Sequence, residues 1–117
     1  MRRIVLFSLL ILLANPTHAA GYPHILTMRE RAQLVDELLN DKLVNTLPGL
    51  MRREGIDMWL VISREYNEDP VIETLLPATW MAARRRTILV MYDPGGDEPL
   101  QTLAVARYAV GEQFEQS

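Results

Sequence analysis

Residues 55–57 (GID) and the run that follows them, residues 58–63 (MWLVIS), decide the fold class of this chain. Glycine accepts the left-handed backbone that ends a helix, so Gly55 is predicted to be a helix C-cap. A short, continuous apolar run such as 58–63 is typical of a strand that is covered on both faces. The sequence therefore predicts a helix that leads directly into a buried strand.

The residues before this unit carry the pattern of a long helix. Thr27 and Glu30 fit a capping box, in which each side chain accepts a hydrogen bond from the other residue's backbone amide. Pro48 lacks a backbone donor and crowds the preceding turn, so we expect a kink or a restart near Thr46. Apolar residues recur close to helical spacing at Met28, Ala32, Val35, Leu38, Leu39, Leu43, Leu47 and Leu50.

Two further strands are expected after the first. Residues 64–70 (REYNEDP) form a polar loop, and residues 71–76 are long enough for a short helical turn. Residues 87–92 (TILVMY) and 101–108 (QTLAVARY) have the composition of strands. The predicted fold is therefore α/β, with a sheet of about three strands and a long kinked N-terminal helix on one face. No closing helix follows in residues 111–117, so we expect the sheet to be incomplete and its third strand to lie near an open edge.

The first 19 residues have the pattern of an export signal. Arg2 and Arg3 precede an apolar run at residues 4–14, and small residues then lead to a cleavage site between Ala19 and Ala20. A retained membrane anchor is the alternative, but a spanning helix needs about 20 apolar residues. We therefore expect a cleaved signal peptide at 1–19 and no stable membrane anchor. The mature protein is expected in the periplasm or outside the cell.

The expected mature chain has a flexible N-terminus at residues 20–26 and one partial domain at residues 27–117. Ten basic and 15 acidic residues follow Ala19, which gives a net charge of −5. An acidic domain has no broad attraction for nucleic acid, so no nucleic-acid partner is expected. The chain has no cysteine, and no disulfide can stabilise it even in an oxidising compartment.

Several segments together resemble a known family. Residues 50–62 (LMRREGIDMWLVI), 64–70 (REYNEDP), 76–80 (LPATW) and 83–90 (ARRRTILV) are similar to the creatinase-like N-terminal domain of exported Xaa-Pro aminopeptidases. The resemblance covers about residues 25–111. The helix, Gly-Ile-Asp and strand are common in α/β domains, whereas the combination of the later segments is more specific.

The resemblance implies a parent enzyme that hydrolyses the peptide bond before proline. In that family a second, pita-bread domain binds two divalent metal ions, often manganese, cobalt or zinc, through two aspartates, a histidine and two glutamates. No position of this chain matches those ligands, so we expect no catalytic residue, no metal ligand and no cofactor here. The chain would be the non-catalytic N-terminal portion, truncated before the catalytic domain, and its partners would be a second copy in a homodimer or the missing domain.

Within this portion, the resemblance places the loop after the first strand beside the mouth of the active site. Arg64, Tyr66 and Asn67 are therefore candidate residues for shaping a substrate pocket or an interface, and peptide substrate would be met only in the complete enzyme. A plain exposed loop is the simpler interpretation of the same residues. A stand-alone exported binding module without catalysis is the alternative function.

Three other groups of side chains raise a site hypothesis. His24 is the one histidine after the signal, and a lone histidine near a terminus is usually solvated. Residues 84–86 (RRR) are expected to pair with nearby carboxylates or to rim an interface. The acidic residues between 65 and 73 lack the glycine of a calcium loop and are interpreted as a solvated loop: Glu65, Glu68, Asp69 and Glu73.

Overall fold

The computed structural model describes residues 25–117 of the chain. The predicted signal peptide at 1–19, the cleavage pair Ala19 and Ala20, and His24 lie outside the described residues. So does most of the predicted flexible segment at 20–26.

The described chain forms a helical stretch followed by a small sheet with one helical turn inserted. The helical stretch is α1, then a π-helical segment, then α2. The order of elements is α1 (Met28–Asp41), the π segment (Lys42–Thr46), α2 (Leu47–Glu54), β1 (Met58–Arg64), α3 (Pro70–Glu73), β2 (Arg86–Tyr92), β3 (Gln101–Val105) and β4 (Glu115–Gln116).

Helix α1 begins with the predicted capping box. The Glu30 amide donates to the Thr27 hydroxyl at 3.3 Å, and the Thr27 amide donates to the Glu30 carboxylate at 2.7 Å. This bond from the Thr27 amide lowers the pKa of the Glu30 carboxyl below its ordinary value. Two of the free amides at the start of the helix are thus satisfied, which fixes where the helix begins.

The predicted restart near Thr46 takes the form of the π segment. The Leu47 amide donates to the Lys42 carbonyl, five residues earlier, instead of the carbonyl four residues earlier. Pro48 follows directly and has no amide hydrogen to donate. The wider turn therefore lets the helical path continue past the proline into α2. Helix α2 ends at Glu54 and is capped by Gly55, whose φ of 67° is the left-handed conformation that the sequence predicts.

The sheet has the order β1-β2-β3-β4. Strands β1, β2 and β3 form an antiparallel meander, with Leu60 opposite Val90 and Val90 opposite Leu103. The two-residue strand β4 lies parallel to β3 and places Glu115 beside Leu103. The fold is mixed α/β with a long helical stretch on one face, and its sheet has four strands where about three were expected.

The core lies between the helices and one face of this sheet. Every fourth residue from 39 to 51 is buried, which gives the helical stretch one continuous apolar stripe: Leu39, Leu43, Leu47 and Met51. This stripe packs with inward residues of the sheet and with the loops after β1 and β3: Val61, Leu89, Met91, Ala104, Ile72, Leu75, Leu76, Ala83, Val110 and Phe114. Trp59 and Trp80 are half-buried against this core.

The prediction that residues 58–63 are covered on both faces is wrong. Along β1, the residues facing the helices are Trp59, Val61 and Ser63, whereas Met58, Leu60 and Ile62 are each at least half exposed. A continuous apolar run does not distinguish a strand with two covered faces from one with a single covered face and an apolar outer face. In residues 25–117 the helical stretch covers only one side of the sheet.

The predicted ends of two other elements also change. The third strand was expected to reach residue 108 but ends at Val105, because the chain bends there and brings Val110 and Phe114 into the core. The edge of β3 is not left open, since β4 pairs with it and the Ser117 amide donates to Ala104.

The predicted turn at 71–76 is the shorter helix α3, which begins one residue earlier, at Pro70. The Asp69 carboxylate caps it by accepting from the Val71 amide at 2.8 Å.

Candidate functional site

The outer side of the sheet carries an apolar surface that no part of residues 25–117 covers with a second layer. Antiparallel pairing places opposite residues on the same side, so each outer row spans two or three strands. We call this surface the open face, and its residues are Met58, Leu60, Ile62, Ile88, Val90, Tyr92, Leu103 and Val105. Among the open-face residues of β1 and β2, those of β1 are the most exposed, at 51%, 50% and 61% for positions 58, 60 and 62.

An apolar surface of this kind is unusual for a sheet in water. Antiparallel sheets with one solvated side normally alternate apolar and polar residues. Here the outward positions of β1 are a methionine, a leucine and an isoleucine, and only the final position, Arg64, is charged. Contiguous apolar surface of this kind marks binding sites more often than isolated exposed residues do.

One end of the open face is basic. Arg64 and Arg86 are register partners at the ends of their strands, and both side chains follow the outward alternation. With Glu65, Tyr66 and Arg85, they line a shallow hollow of about 340 Å³. We call this the arginine end.

Arg64 and Tyr66, two of the predicted site residues, therefore both lie at the arginine end of the open face. The third, Asn67, closes the turn by donating its amide to the Arg64 carbonyl at 3.0 Å.

Two buried hydroxyls position the loops of the arginine end. Ser63 and Thr87 are register partners that point inward. The Ser63 hydroxyl accepts from the Asp69 amide at 3.2 Å, and the Thr87 hydroxyl accepts from the Arg84 amide at 3.1 Å. A cross-link between the two loops completes the arrangement, since the Glu65 amide donates to the carbonyl of Arg85. These hydrogen bonds hold the backbone that carries the exposed arginines of this end.

Tyr66 and Arg85 both have left-handed backbones, with φ of 65° and 57°. This conformation is uncommon outside glycine, asparagine and aspartate, and it is held here by hydrogen bonds on each side. The Tyr66 amide donates to the Glu68 carboxylate, and the Arg85 amide donates to the Glu65 carboxylate. Tyr66 is 92% exposed. Glu65, Glu68 and Asp69, which the sequence indicated as parts of a solvated loop, each accept a hydrogen bond from a nearby backbone amide.

Residues 84–86 were expected either to pair with nearby carboxylates or to rim an interface, and the first expectation is wrong. Within residues 25–117, the ion pairs are Arg52 with Asp93 and Arg53 with Glu54. The remaining expectation, that these arginines rim an interface, is compatible with the place of Arg86 at the end of the open face.

The opposite end of the open face is acidic. Met58 and Tyr92 form its last row, and a hollow of about 510 Å³ extends from them across the sheet to Glu112 and to Glu115, which lies beside Leu103 on the β4 edge. Both glutamates are exposed. We call this region, together with the exposed Asp57 just before β1, the glutamate end. No local pattern selects these residues, because only the return of the chain as β4 brings them beside the sheet.

An ion pair with a buried carboxylate and a half-exposed guanidinium holds the turn after β2 at this end. Arg52 donates two hydrogen bonds to the Asp93 carboxylate, at 2.7 and 2.9 Å. The Asp93 side chain is 4% exposed, whereas that of Arg52 is 44% exposed. These bonds from Arg52, and one from the Gly95 amide, hold the pKa of Asp93 below its ordinary value. The pair ties the end of α2 to the sheet and was not predicted.

The described part of the chain does not bring a set of metal ligands together. Residues 25–117 contain no group of three or more histidine, cysteine, aspartate or glutamate side chains placed to hold a metal ion. In the same residues, no helix is both long enough and apolar enough to cross a membrane.

No family model, curated protein or solved structure matches the chain. The resemblance to the creatinase-like domain therefore stays a prediction.

Proposed function

We propose that residues 25–117 form a non-catalytic interaction domain of an exported protein. The observation that carries this proposal is the open face, an apolar sheet surface bounded by a basic end and an acidic end. A second layer packed about 10 Å above this sheet would remove its apolar rows from water. The function is then to hold another polypeptide surface against the sheet.

The reaction of single cysteines with a maleimide tests this proposal in the producing cells. The chain has no cysteine of its own, so each introduced thiol is the only one it carries. Ile62 on the open face and Val44 on the helical stretch are equally exposed, at 61% each. We expect Ile62→Cys to react more slowly than Val44→Cys at native abundance, because a partner covers position 62. Equal rates at the two positions in cells would contradict the proposal.

We further propose that the parent protein is an exported Xaa-Pro aminopeptidase-like metallopeptidase, in which this domain contributes oligomer contacts and shapes the substrate pocket. The ordered turn with the exposed Tyr66 at the rim of the open face favours this second proposal. Depleting the chain from the exported fraction with an antibody should lower metal-dependent hydrolysis of Xaa-Pro peptides there. Unchanged hydrolysis would refute the peptidase assignment without affecting the interaction domain.

The export prediction has its own test, because it depends on residues outside the described part of the chain. N-terminal sequencing of the protein from the exported fraction should begin at Ala20. A chain that retains Met1 would show that the segment is not removed.

A further inference from the structure

We propose that the end of the sheet where β1 stops and β2 starts docks onto the surface of an anionic phospholipid bilayer. The surface concerned combines residues of the arginine end with residues of the loops beside it. We call it the basic tip, and its residues are Arg64, Tyr66, Met81, Arg84, Arg85, Arg86, Arg107 and Tyr108. This inference goes beyond the proposed function, because it uses the end of the sheet and not the open face.

The basic tip contains half of the cations of the expected mature chain. Ten basic residues follow Ala19, and five of them are arginines of this tip. Arg86 begins β2 opposite Arg64, and the antiparallel strand β3 ends on the same side at Val105, two residues before Arg107. All five arginines are exposed. The net charge of −5 is therefore unevenly distributed, and this end is positive in spite of it.

The carboxylates of the same loops do not pair with these arginines. Glu65, Glu68 and Asp69 each accept a hydrogen bond from a backbone amide. Both ion pairs found in residues 25–117 are made by side chains of α2, away from this tip. The five guanidinium groups are thus available to anions of another molecule.

The pairing of Arg64 with Arg86 is itself unfavourable without such an anion. The two residues are direct register partners on neighbouring strands, where like charges destabilise the pairing. A phosphate between the two guanidinium groups would relieve this repulsion, because each group can donate two parallel N–H bonds to phosphate oxygens.

Two large side chains project from the basic tip. Tyr66 is 92% exposed and Met81 is 93% exposed, the highest values among the large hydrophobic residues of the described chain. Met81 precedes Arg84 by three residues in the loop that leads back to β2. The two loops are joined where the Glu65 amide donates to the Arg85 carbonyl at 2.7 Å. The tip therefore combines positive charge with protruding amphipathic and apolar groups.

A bilayer matches both properties of the tip. Arginine side chains bind lipid phosphates while their apolar stems lie along the interface, and tyrosine is enriched at the level of the head groups. An acidic polypeptide would match the charge alone. The hollow at the arginine end is shallow, at about 340 Å³, and its walls are mainly charged, so it offers no apolar pocket for an anchor residue of a protein partner.

The rest of the molecule limits how it meets such a surface. Strand β1 has seven residues, so the glutamate end lies about 20 Å from the tip. This separation exceeds the Debye length of about 8 Å at physiological ionic strength, and repulsion of the glutamate end is screened when the tip touches the membrane. We therefore expect reversible, end-on docking with the strands pointing toward the bilayer.

Co-sedimentation of the purified exported chain with vesicles tests the proposal. We expect binding to mixed vesicles of phosphatidylglycerol and phosphatidylcholine that weakens as sodium chloride is added, and no binding to phosphatidylcholine alone. Near an anionic surface each arginine contributes about a factor of five to the partition coefficient. The double variant Arg64→Gln with Arg86→Gln should therefore lower it about thirtyfold.

Matched single variants separate position from net charge. Arg86→Gln should lower the partition coefficient about fivefold, whereas Arg53→Gln, on α2, removes the same charge and should leave it unchanged. The urea midpoint of each variant shows whether it is folded. Binding lost equally by Arg53→Gln and Arg86→Gln would mean that net charge and not the tip is responsible, and would overturn the proposal.

The apolar contribution has a separate test in Tyr66→Asn. Asparagine accepts the left-handed backbone of this position, where φ is 65°, so the turn is retained while the ring is removed. The partition coefficient should fall about tenfold, as expected for partial burial of an aromatic ring, and its salt dependence should stay the same. Val44→Asn, at an exposed position of the π segment, is the control and should have no effect.

The remaining outcomes would each overturn the proposal. Absence of binding to the phosphatidylglycerol vesicles would do so directly. Equal binding of all variants to phosphatidylcholine alone would show that the arginines are not used. Binding to soluble polyglutamate or to an oligonucleotide as tight as to the vesicles would assign the tip to an acidic macromolecule instead of a bilayer.

Discussion

Replacing a leucine by alanine on each side of the same sheet gives the sharpest test of the fold. Leu89 points toward the helices and is completely buried, whereas Leu60 lies on the open face and is half exposed. The two residues lie on neighbouring strands, one row apart. The same chemical change is therefore made within one sheet, and only the covering layer differs.

The expected magnitudes follow from this difference in burial. Leu89→Ala removes a fully buried side chain and leaves a cavity between the sheet and the helices, which costs about 3–4 kcal/mol of unfolding free energy. Leu60→Ala removes a side chain that keeps about half of its surface in water, and no overlying layer exists to leave a cavity. About 1 kcal/mol is expected, a part of the roughly 1.5–3 kcal/mol for complete burial of a leucine side chain.

Urea denaturation followed by tryptophan fluorescence measures both values, because Trp59 and Trp80 pack against the core. The measurement is made at a protein concentration where the chain is monomeric, so that a partner does not contribute to the stability. Leu38→Ala on α1 is a further control at an exposed leucine. An equal loss for Leu60→Ala and Leu89→Ala in the monomer would show that a second layer covers the sheet, and the account of the open face would be refuted.

Three further predictions concern the ends of the helices and the turns. Asp93 has a lowered pKa, so its bond to Arg52 stabilises the fold fully above the unfolded aspartate pKa of about 3.9. This stabilisation is lost as the pH falls through the lower pKa of the folded state. The difference in urea midpoint between the wild type and Arg52→Gln should therefore shrink in acid, and a difference that stays constant with pH would contradict this prediction. Thr27→Ala should lower the unfolding free energy by about 1 kcal/mol through loss of the cap, whereas Thr27→Ser should retain it. Gly55→Ala should lower the unfolding free energy by about 1 kcal/mol, because alanine is strained in the left-handed backbone of this position. Gly111→Ala should lower it by more in the same urea denaturation, because its new methyl group would also lie 2.6 and 2.9 Å from side-chain atoms of Gln113 and Pro77.

Local signals in the sequence predicted the helical part of the fold well. The Thr27 cap, the interruption before Pro48 and the Gly55 C-cap each depend on residues close to one another along the chain. Such features are encoded by backbone preferences and short-range hydrogen bonds, so no knowledge of the tertiary structure is needed to find them.

The features that required the tertiary structure all depend on distant residues. The run at 58–63 is apolar at inward and outward positions alike, so its sequence cannot show that only one face is covered. Glu115 meets the sheet only through the return of the chain as β4, and Arg52 meets Asp93 across 41 positions. Arg64 and Tyr66 were selected through a family resemblance, and their place at the end of the open face gives them a physical setting that the resemblance did not contain.

The ratio of the maleimide reaction rates of Ile62→Cys and Val44→Cys, compared between the dilute purified chain and the producing cells, tests the central claim most directly. Val44→Cys serves as the reference because its position has the same exposure. The account predicts that the two thiols react at similar rates in the dilute purified chain, and that only position 62 becomes protected in the cells. A ratio of rates that is the same in the cells as in the purified chain would show that the open face is not the surface that binds.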